Sequence, residues 1–595
     1  MSDIFIGTRG PHNARILIVG ESWGATEERF EKPFMGESGN ELKNMLKEAG
    51  VDPDECLYTN LINARPLDNN FKHFLLRTQE AKDEKLKPFR GVFPRSELLE
   101  AYDRLHRLIL HVRPAIILCL GNWALWAVTD HIRIRAGTKK ERNNGYKLAT
   151  GIDTYRGSME RSQASLGSIP VLATYHPAAI LRMWPWRFTA VSDLRRVREY
   201  ISQPPDLRKW GRSPSIKRWI VPDVSTVEAW IEGFFQGKEK ETVLELTLDL
   251  ETYAGKIHLM GLSTPNSTRL IVPFMDVSKT GTKPFYSPYD WRRVYRAIRS
   301  LLTDPRVRLV GQNLLYDAQY LHNEFAYVPR IGFDTMVAQH LLWPALRKGL
   351  DFMASVYCDF YTYWKEDRKT SLENEDLSLA SNYNADDLDY TEDVAEELRK
   401  QLKTEGMEGL FSDRMELVEI LLDMMIHGVR VDGRKKRAQS LAMMMTMGEL
   451  ISWLEGAIPD YLKPVGKKGS KPWYSSDTKL RTLFYENLEL DPIYDKETGE
   501  PSLNKHALER LGFKYPEFKP LFGAITLFRS ARTFRGTFLD AVLDPDGHWR
   551  CAYTITTETG RLASAENVYD RGGNLANIPR DREPLNFYNA IEQLS

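Results

Sequence analysis

Within the first 200 residues, four apolar runs each close on a glycine or a polar residue: RILIVGES, CLYTNLINA, AIILCLG and VLATYHP. Runs of this kind, rich in Ile, Leu and Val, read as strands buried on both faces, the hallmark of a parallel sheet covered by helices. Helical periodicity in ELKNMLKEAG and SELLEAYDRLHRLILHV falls between them. The pattern requires an α/β fold, with ligands gathered at the carboxyl ends of the strands. GESWGATEE, PFMGESGNEL, TNLINARP and TYHPAAILR all sit at such ends or open the following helix. These four motifs are therefore expected to converge on one pocket.

The chain of 595 residues has room for several domains. SQPPDLRKWGRSPS (202–215) is basic and rich in Pro and Ser, and reads as a linker. A second α/β region follows, with LELTLDLETYA and KIHLMGLS as a hairpin-like pair, RLIVPF as a third strand and RVRLVGQN as a fourth. From about Met415 the chain reads as mainly helical, and the Met run of RKKRAQSLAMMMTMGELISWLEGAI is expected to be helix core. WRCAYTIT reads as a short β segment. No apolar run approaches the ~18–20 residues of a membrane span, and no signal-peptide layout opens the chain. The cysteines, Cys56, Cys119, Cys358 and Cys551, lie far apart with no CxxC, which points to a reducing, intracellular setting. Lys plus Arg balance Asp plus Glu at 81 each. The zero net charge hides basic clusters interleaved with aromatics, such as LRKWGRSPSIKR and FRSARTFR, which suit nucleic acid.

Acidic residues cluster in the middle of the chain. Asp249 and Glu251 stand two apart on one apolar strand and so share a face. Asn313 and Asp317, and again Tyr383 and Asp387, stand four apart, the spacing of one helix face. Like charges brought together at such a site call for a cation, and hard oxygen ligands suit Mg²⁺ or Mn²⁺. Two such ions about 3.5–4 Å apart support in-line phosphodiester hydrolysis. The set resembles the proofreading 3′–5′ exonuclease domain of DNA polymerases, over about 215–405. DTMVAQHLLWP and GLDFMASVY are similar to that family's intervening helices. The resemblance implies an RNase H-like fold and catalytic residues Asp249, Glu251, Asp317, Tyr383 and Asp387. It gives the four acids to two metal ions, Tyr383 to the attacking water and Asn313 to DNA.

Near the end of the given sequence, TGRLAS (559–564) and NLANIPR (574–580) bracket a Gly-rich loop. They resemble the opening palm segments of family A DNA polymerases. MELVEILLDMMIHGVRVD is similar to the start of that polymerase region, SSDTKLRTLFYENLEL and PSLNKHALERL to its thumb, and FRSARTFRGTFLDAVL to the entry to its palm. The resemblance implies duplex contacts by Arg561, Asn574, Asn577 and Arg580. Arg and Asn can serve phosphates and minor-groove acceptors without choosing a sequence. The family's later catalytic aspartates and fingers helix have no counterpart in REPLNFYNAIEQLS. Nucleotide addition is thus expected to need a second polypeptide carrying palm and fingers, or a missing C-terminal half.

The strand-end motifs of the first 200 residues, taken together, resemble the uracil-DNA glycosylase superfamily, closest to its microbial iron–sulfur branch. The resemblance implies that Phe34 stacks on a flipped base, Asn60 reads its Watson–Crick edge, His176 donates to the departing base and Glu21 lies near the sugar and the attacking water. Arg182 would hold flanking phosphate. Two departures stand out. The cluster cysteines are missing, with Ala64 at one of their places, so no iron–sulfur cluster is expected. Trp23 replaces the usual proline and would narrow the pocket. Base excision and a retained fold that only binds DNA or a partner both remain open.

The expectation is an α/β multidomain chain: a uracil-DNA-glycosylase-like domain (1–201), a linker (202–215), an RNase H-like exonuclease domain (216–405) and a mainly helical thumb with the first palm strands (406–595). The function implied is the N-terminal part, or a subunit, of a replicative phage-type family A DNA polymerase with metal-dependent proofreading. Its partners would be primer-template DNA, a single-stranded 3′ end, the second polypeptide and a processivity factor, with no membrane, in the cytoplasm of an infected bacterial host. Two rivals are a stand-alone repair protein that excises uracil and trims ends, and an inert DNA-binding scaffold.

Overall fold

The computed structural model describes residues 2–76, 81, 86–131, 134–136, 146–148, 151–211, 217–265, 267–278, 281–465, 469–495 and 499–577. The chain divides into two units. One comprises Met1–Asn313 with Ile331–Phe411, the other Leu314–Arg330 with Ser412–Ser595.

In the first unit, strands β1 (Ile16–Ser22), β2 (Cys56–Ile62), β3 (Ile116–Leu120), β4 (Met159–Arg161) and β5 (Pro170–Thr174) form one sheet in the order β2-β1-β3-β5-β4. All neighbours pair in parallel except β4, which runs against β5. Every residue of β2 and β3 is buried, as strands covered on both faces require. The apolar stripes of helices Glu37–Glu48 and Ser96–Val112 contribute Leu42, Met45, Leu105 and Leu108 to the same core.

A second sheet follows: β6 (Arg218–Ile220), β7 (Leu244–Tyr253), β8 (Lys256–Ser263), β9 (Arg269–Pro273), β10 (Val307–Gly311) and β11 (Ile331–Asp334), in the order β11-β10-β7-β8-β9-β6. β7 and β8 form the expected antiparallel hairpin, with Asp249 opposite Gly261 and Glu251 opposite Leu259. Helix Leu377–Thr404 packs on this sheet, capped by Asp376, whose side chain accepts from the Leu379 N–H. It comes close because residue 261 is glycine: a Cβ there would lie 2.4 Å from Asn384 Oδ1. Ion pairs fix the helix to the far strands. Fully buried Arg269 pairs with Asp389 and Glu392, and Arg218 with Asp386 and Asp389, all at 2.6–2.7 Å.

The two sheet domains of this unit share a polar seam. Arg156, which follows helix Ile152–Tyr155, donates from Nε to Asp193 Oδ2 at 3.0 Å, from a second nitrogen to Asp193 Oδ1, and from a third to Ser355 Oγ at 2.6 Å. Arg196 donates to Cys358 O at 2.8 Å, and the Met159 N–H to Tyr361 O at 2.8 Å. In the 202–215 stretch, Trp210 Nε1 donates to Glu160 O; residues 212–215 lie outside the described residues.

The second unit is mainly helical, as expected. Helices Gly433–Ala457, Lys505–Lys514 and Lys519–Phe534 enclose a core that includes Leu450, Leu454, Phe484, Leu511 and Phe522. The Met run departs from its expected role. Met443 is buried, but Met444 and Met445 are 48% and 65% exposed. Successive helical residues point about 100° apart, so consecutive methionines cannot all face one core. WRCAYTIT supplies two short strands, His548–Trp549 paired with Val429–Arg430, and Ala552–Thr554 paired with Ala563–Ala565. No described helix is long and apolar enough to cross a membrane.

Candidate metal centre and strand-end pocket

The alternation of β7 turns Asp249 and Glu251 to one face, and helix Leu377–Thr404 brings Asp387 onto them. One carboxylate oxygen from each lies within 4.8 Å of the other two. Glu251 and Asp387 are buried and Asp249 is half-buried. Burial pushes the Glu251 carboxyl up to about 7, with Arg368 opposing the shift and Asp387 adding to it. Tyr383 stands one turn before Asp387 on the same helix. Burial, reinforced by the carboxylates of Asp387, Glu251 and Asp249, drives its phenol well above the ordinary range, so it keeps its proton as a donor.

Sequence reasoning missed four side chains that hold this cluster. Asn384 Nδ2 donates to Asp249 Oδ2 at 2.6 Å. Trp364 Nε1 donates to Asp387 Oδ1 at 2.9 Å. Lys365 Nζ reaches Asp387 Oδ1 at 2.6 Å and Tyr383 OH at 2.9 Å. Arg368 Nε lies 2.9 Å from Glu251 Oε2. Asn384 adjoins Tyr383 in YNADD and was open to notice as a neighbour of the motif. WKEDRK carries no such cue beyond two cations at the head of a helix that favours acids.

The trio does not include Asp317, a buried residue on helix Leu314–Phe325 of the other unit. Asn313 departs from the expected shared helix face. It precedes that helix in the left-handed region (φ 58°), and its N–H donates to Asp334 Oδ1 at 3.1 Å. Asn tolerates this conformation better than most residues, so the strand ends there before the helix begins. Three carboxylate oxygens converging with half-buried access are the donor set that hard divalent cations take, and they fit Mg²⁺ or Mn²⁺.

At the carboxyl edge of the first sheet, the four expected residues do meet. A Cβ on Gly20 would lie 2.2 Å from Asn60 Oδ1 and 2.6 Å from Phe34 Cζ. A Cβ on Gly121 would lie 2.6 Å from Glu21 Oε1 and 3.3 Å from His176 Cβ. The Phe34 and His176 rings stack loosely, 6.3 Å between centroids. Phe34 is held at φ 56°, costly for a bulky residue, with its carbonyl accepting from Arg9 at 3.1 Å. His176 Nδ1 accepts from the Ala178 N–H at 3.2 Å, which leaves the proton on Nε2. Burial, then Arg182, lowers the imidazole to about 4, so it is neutral at physiological pH. The Trp23 indole packs beside Gly7, where a Cβ would lie 3.0 Å from Cζ2. Arg182 donates to Ala178 O at 3.2 Å from an exposed position.

Burial raises the Glu21 carboxyl to about 7, only partly offset by backbone N–H groups of Trp123, at 3.1 Å, and Asn122. A carboxyl raised in the folded state contributes its stability below the unfolded value of 4.5 and loses it as pH rises through about 7. Glu21→Gln should therefore match the parent near pH 4.5 and exceed it above pH 7, by about 2–3 kcal/mol. Calorimetric melting of both proteins across pH 4.5–8.5 reads this directly; parallel profiles would refute it.

In the second unit, Arg561 is exposed beyond a turn closed by Gly560, and Thr557 Oγ1 donates to its carbonyl at 2.6 Å. Asn574 Oδ1 accepts from Ser564 Oγ at 2.8 Å, and Asn577 is exposed. Gly572 (φ 76°) is required where it stands, since a Cβ would lie 1.6 Å from Arg550 O. Arg580 lies outside the described residues.

Comparison with known proteins matches residues 8–195 to the uracil DNA glycosylase superfamily and residues 245–403 to the 3′-5′ exonuclease family of DNA polymerase A. A type-4 uracil-DNA glycosylase of Saccharolobus solfataricus is 28% identical over 33% of this chain and 76% of its own length. DNA polymerase I of Pseudomonas aeruginosa is 27% identical over 48% of this chain and 31% of its own. The DNA polymerase of Bacillus phage SP01 is 23% identical over 94% of this chain and 62% of its own. The chain thus spans less than two thirds of the polymerases it matches. It joins a glycosylase-like domain to a 3′–5′ exonuclease domain within a single polypeptide, and family A DNA polymerases are among its homologues.

Proposed function

We propose that this chain removes 3′-terminal nucleotides from single-stranded or mispaired DNA ends as the proofreading part of a family A DNA polymerase. The observation that carries the reading is the gathering of Asp249, Glu251 and Asp387 within 4.8 Å, beside a protonated Tyr383. Asp249, Glu251 and Asp387 would hold divalent ions, and Asn384 and Trp364 keep two of these carboxylates aimed. Bound ions supply an ionised water and neutralise charge on the leaving oxygen. The Tyr383 hydroxyl orients that water, and Asn313 contacts the strand end. DNA is the partner, with Arg561, Asn574, Asn577 and Arg580 on the duplex. End-labelled single-stranded DNA incubated with Mg²⁺ should shorten from its 3′ end and survive in EDTA. Survival in both conditions would overturn the reading.

The convergence at Gly20 favours a nucleobase pocket in the first domain, with Phe34 stacking, Asn60 reading the base edge, Glu21 near the sugar and the neutral His176 donating through Nε2. Alkali cleavage of a uracil-containing oligonucleotide after incubation distinguishes base excision from binding alone.

A further inference from the structure

Helix Glu366–Asn374 begins with Lys365 at its N-cap and carries Arg368 on its first turn. Cations are disfavoured at that end of a helix, where backbone N–H groups already supply partial positive charge. Both side chains nevertheless turn to the same place, three residues apart and so on one face. Lys365 Nζ lies 2.6 Å from Asp387 Oδ1 and Arg368 Nε 2.9 Å from Glu251 Oε2. The partners are 3% and 9% exposed, the cations 28% and 47%, so the acids are fixed and the cations have solvent to move into. Burial alone would lower the Lys365 ammonium, yet Asp387, Asp249 and Glu251 together hold it above its ordinary range.

The acids therefore already have counter-charges: three carboxylates face one ammonium and one guanidinium. A divalent ion entering the cluster must share or displace them, because an oxygen lone pair given to Lys or Arg is not available to a metal at the same time. We propose that Lys365 and Arg368 form a cationic clasp that competes with divalent ions for Asp387 and Glu251. On release, the clasp is placed to meet the phosphates of the incoming strand end, which links metal loading to DNA binding. The inference rests on the metal reading above and assigns residues that the acid set does not contain.

The test is Mn²⁺ binding to the full chain without DNA, followed by electron paramagnetic resonance of the free ion. Lys365→Gln and Arg368→Gln should each bind Mn²⁺ about five- to tenfold more tightly than the parent, and the double variant more tightly still. Lys365→Arg and Arg368→Lys, which keep the charge, should bind close to the parent, and circular dichroism confirms that each variant is folded. Unchanged or weaker Mn²⁺ binding by folded glutamine variants would overturn the clasp while leaving the metal site standing. If the parent binds no Mn²⁺, or if Asp249→Ala binds it as well as the parent does, the metal reading itself fails. If the glutamine variants do not fold, the charge-keeping pair decides: a shift in affinity with charge intact would show that geometry, not competition, governs the site, and the clasp would be withdrawn.

Discussion

Asp249→Ala should reduce 3′-terminal degradation of a labelled primer on the order of 10³-fold, equivalent to about 4 kcal/mol of barrier. The change removes one of the three converging carboxylates and leaves Asn384 Nδ2 only the residue 249 carbonyl, at 3.4 Å, while the remainder of β7 stays paired with β8 and β10. Stability should change little, because Asp249 is half-buried and the strand core is made by Leu246, Leu248 and Leu250. The measurement is a time course of product length at saturating Mg²⁺, with melting temperature recorded in parallel. Degradation within tenfold of the parent would mean that the cluster is not the reacting centre. Loss of activity together with unfolding would mean that the strand, not the chemistry, was damaged; Asp249→Asn, which keeps the shape, then separates the two.

Asp193→Ala should destabilise the first unit by about 3–5 kcal/mol, the cost of leaving a buried charge uncompensated. Its carboxylate is fully buried and accepts from two nitrogens of Arg156 and from Thr174 Oγ1 at 2.7 Å, with Arg196 NH1 3.7 Å away. Removing it strands two guanidinium groups that are themselves 2% and 4% exposed. Replacing Arg156 and Asp193 together with apolar residues of similar size should cost less than Asp193→Ala alone, since one buried guanidinium, Arg196, and not two, is then left without its counter-charge. Urea denaturation of the parent and the two variants gives the comparison, and a single-variant loss below about 1 kcal/mol would refute the argument.

The legible parts of the chain were those where one residue type admits few explanations. ILIVGES and CLYTNLI had to be buried parallel strands, and the residues that close them had to meet at one edge. Asp249 and Glu251 on a strand, and Tyr383 and Asp387 on a helix, carried their geometry in their spacing. Asn313 did not, because a four-residue interval fits a helix only if both ends lie inside it, and the left-handed backbone at Asn313 is set by tertiary context. The methionines at 443–445 failed as a core for a similar reason, since composition says nothing about direction. Lys365, Arg368 and Trp364 were not legible at all. They reach Glu251 and Asp387 from more than twenty residues away in one case and more than a hundred in the other, through folding of a polar stretch with no period of its own. Arg156 and Asp193 were silent likewise, since neither stands at a spacing that names its partner 37 residues away.

The seam between the two sheet domains bears on how the polypeptide can be taken apart. A fragment ending in the 202–215 stretch would expose the Met159 N–H that now meets Tyr361 O, the Ser158 hydroxyl that meets the Tyr363 N–H, and the Arg196 guanidinium that meets Cys358 O. Biochemists seeking an isolated base-recognition module would do better to carry the second sheet domain, 217–411, along with it, because the cut that looks natural in the primary sequence runs beside atoms that the folded chain keeps dry.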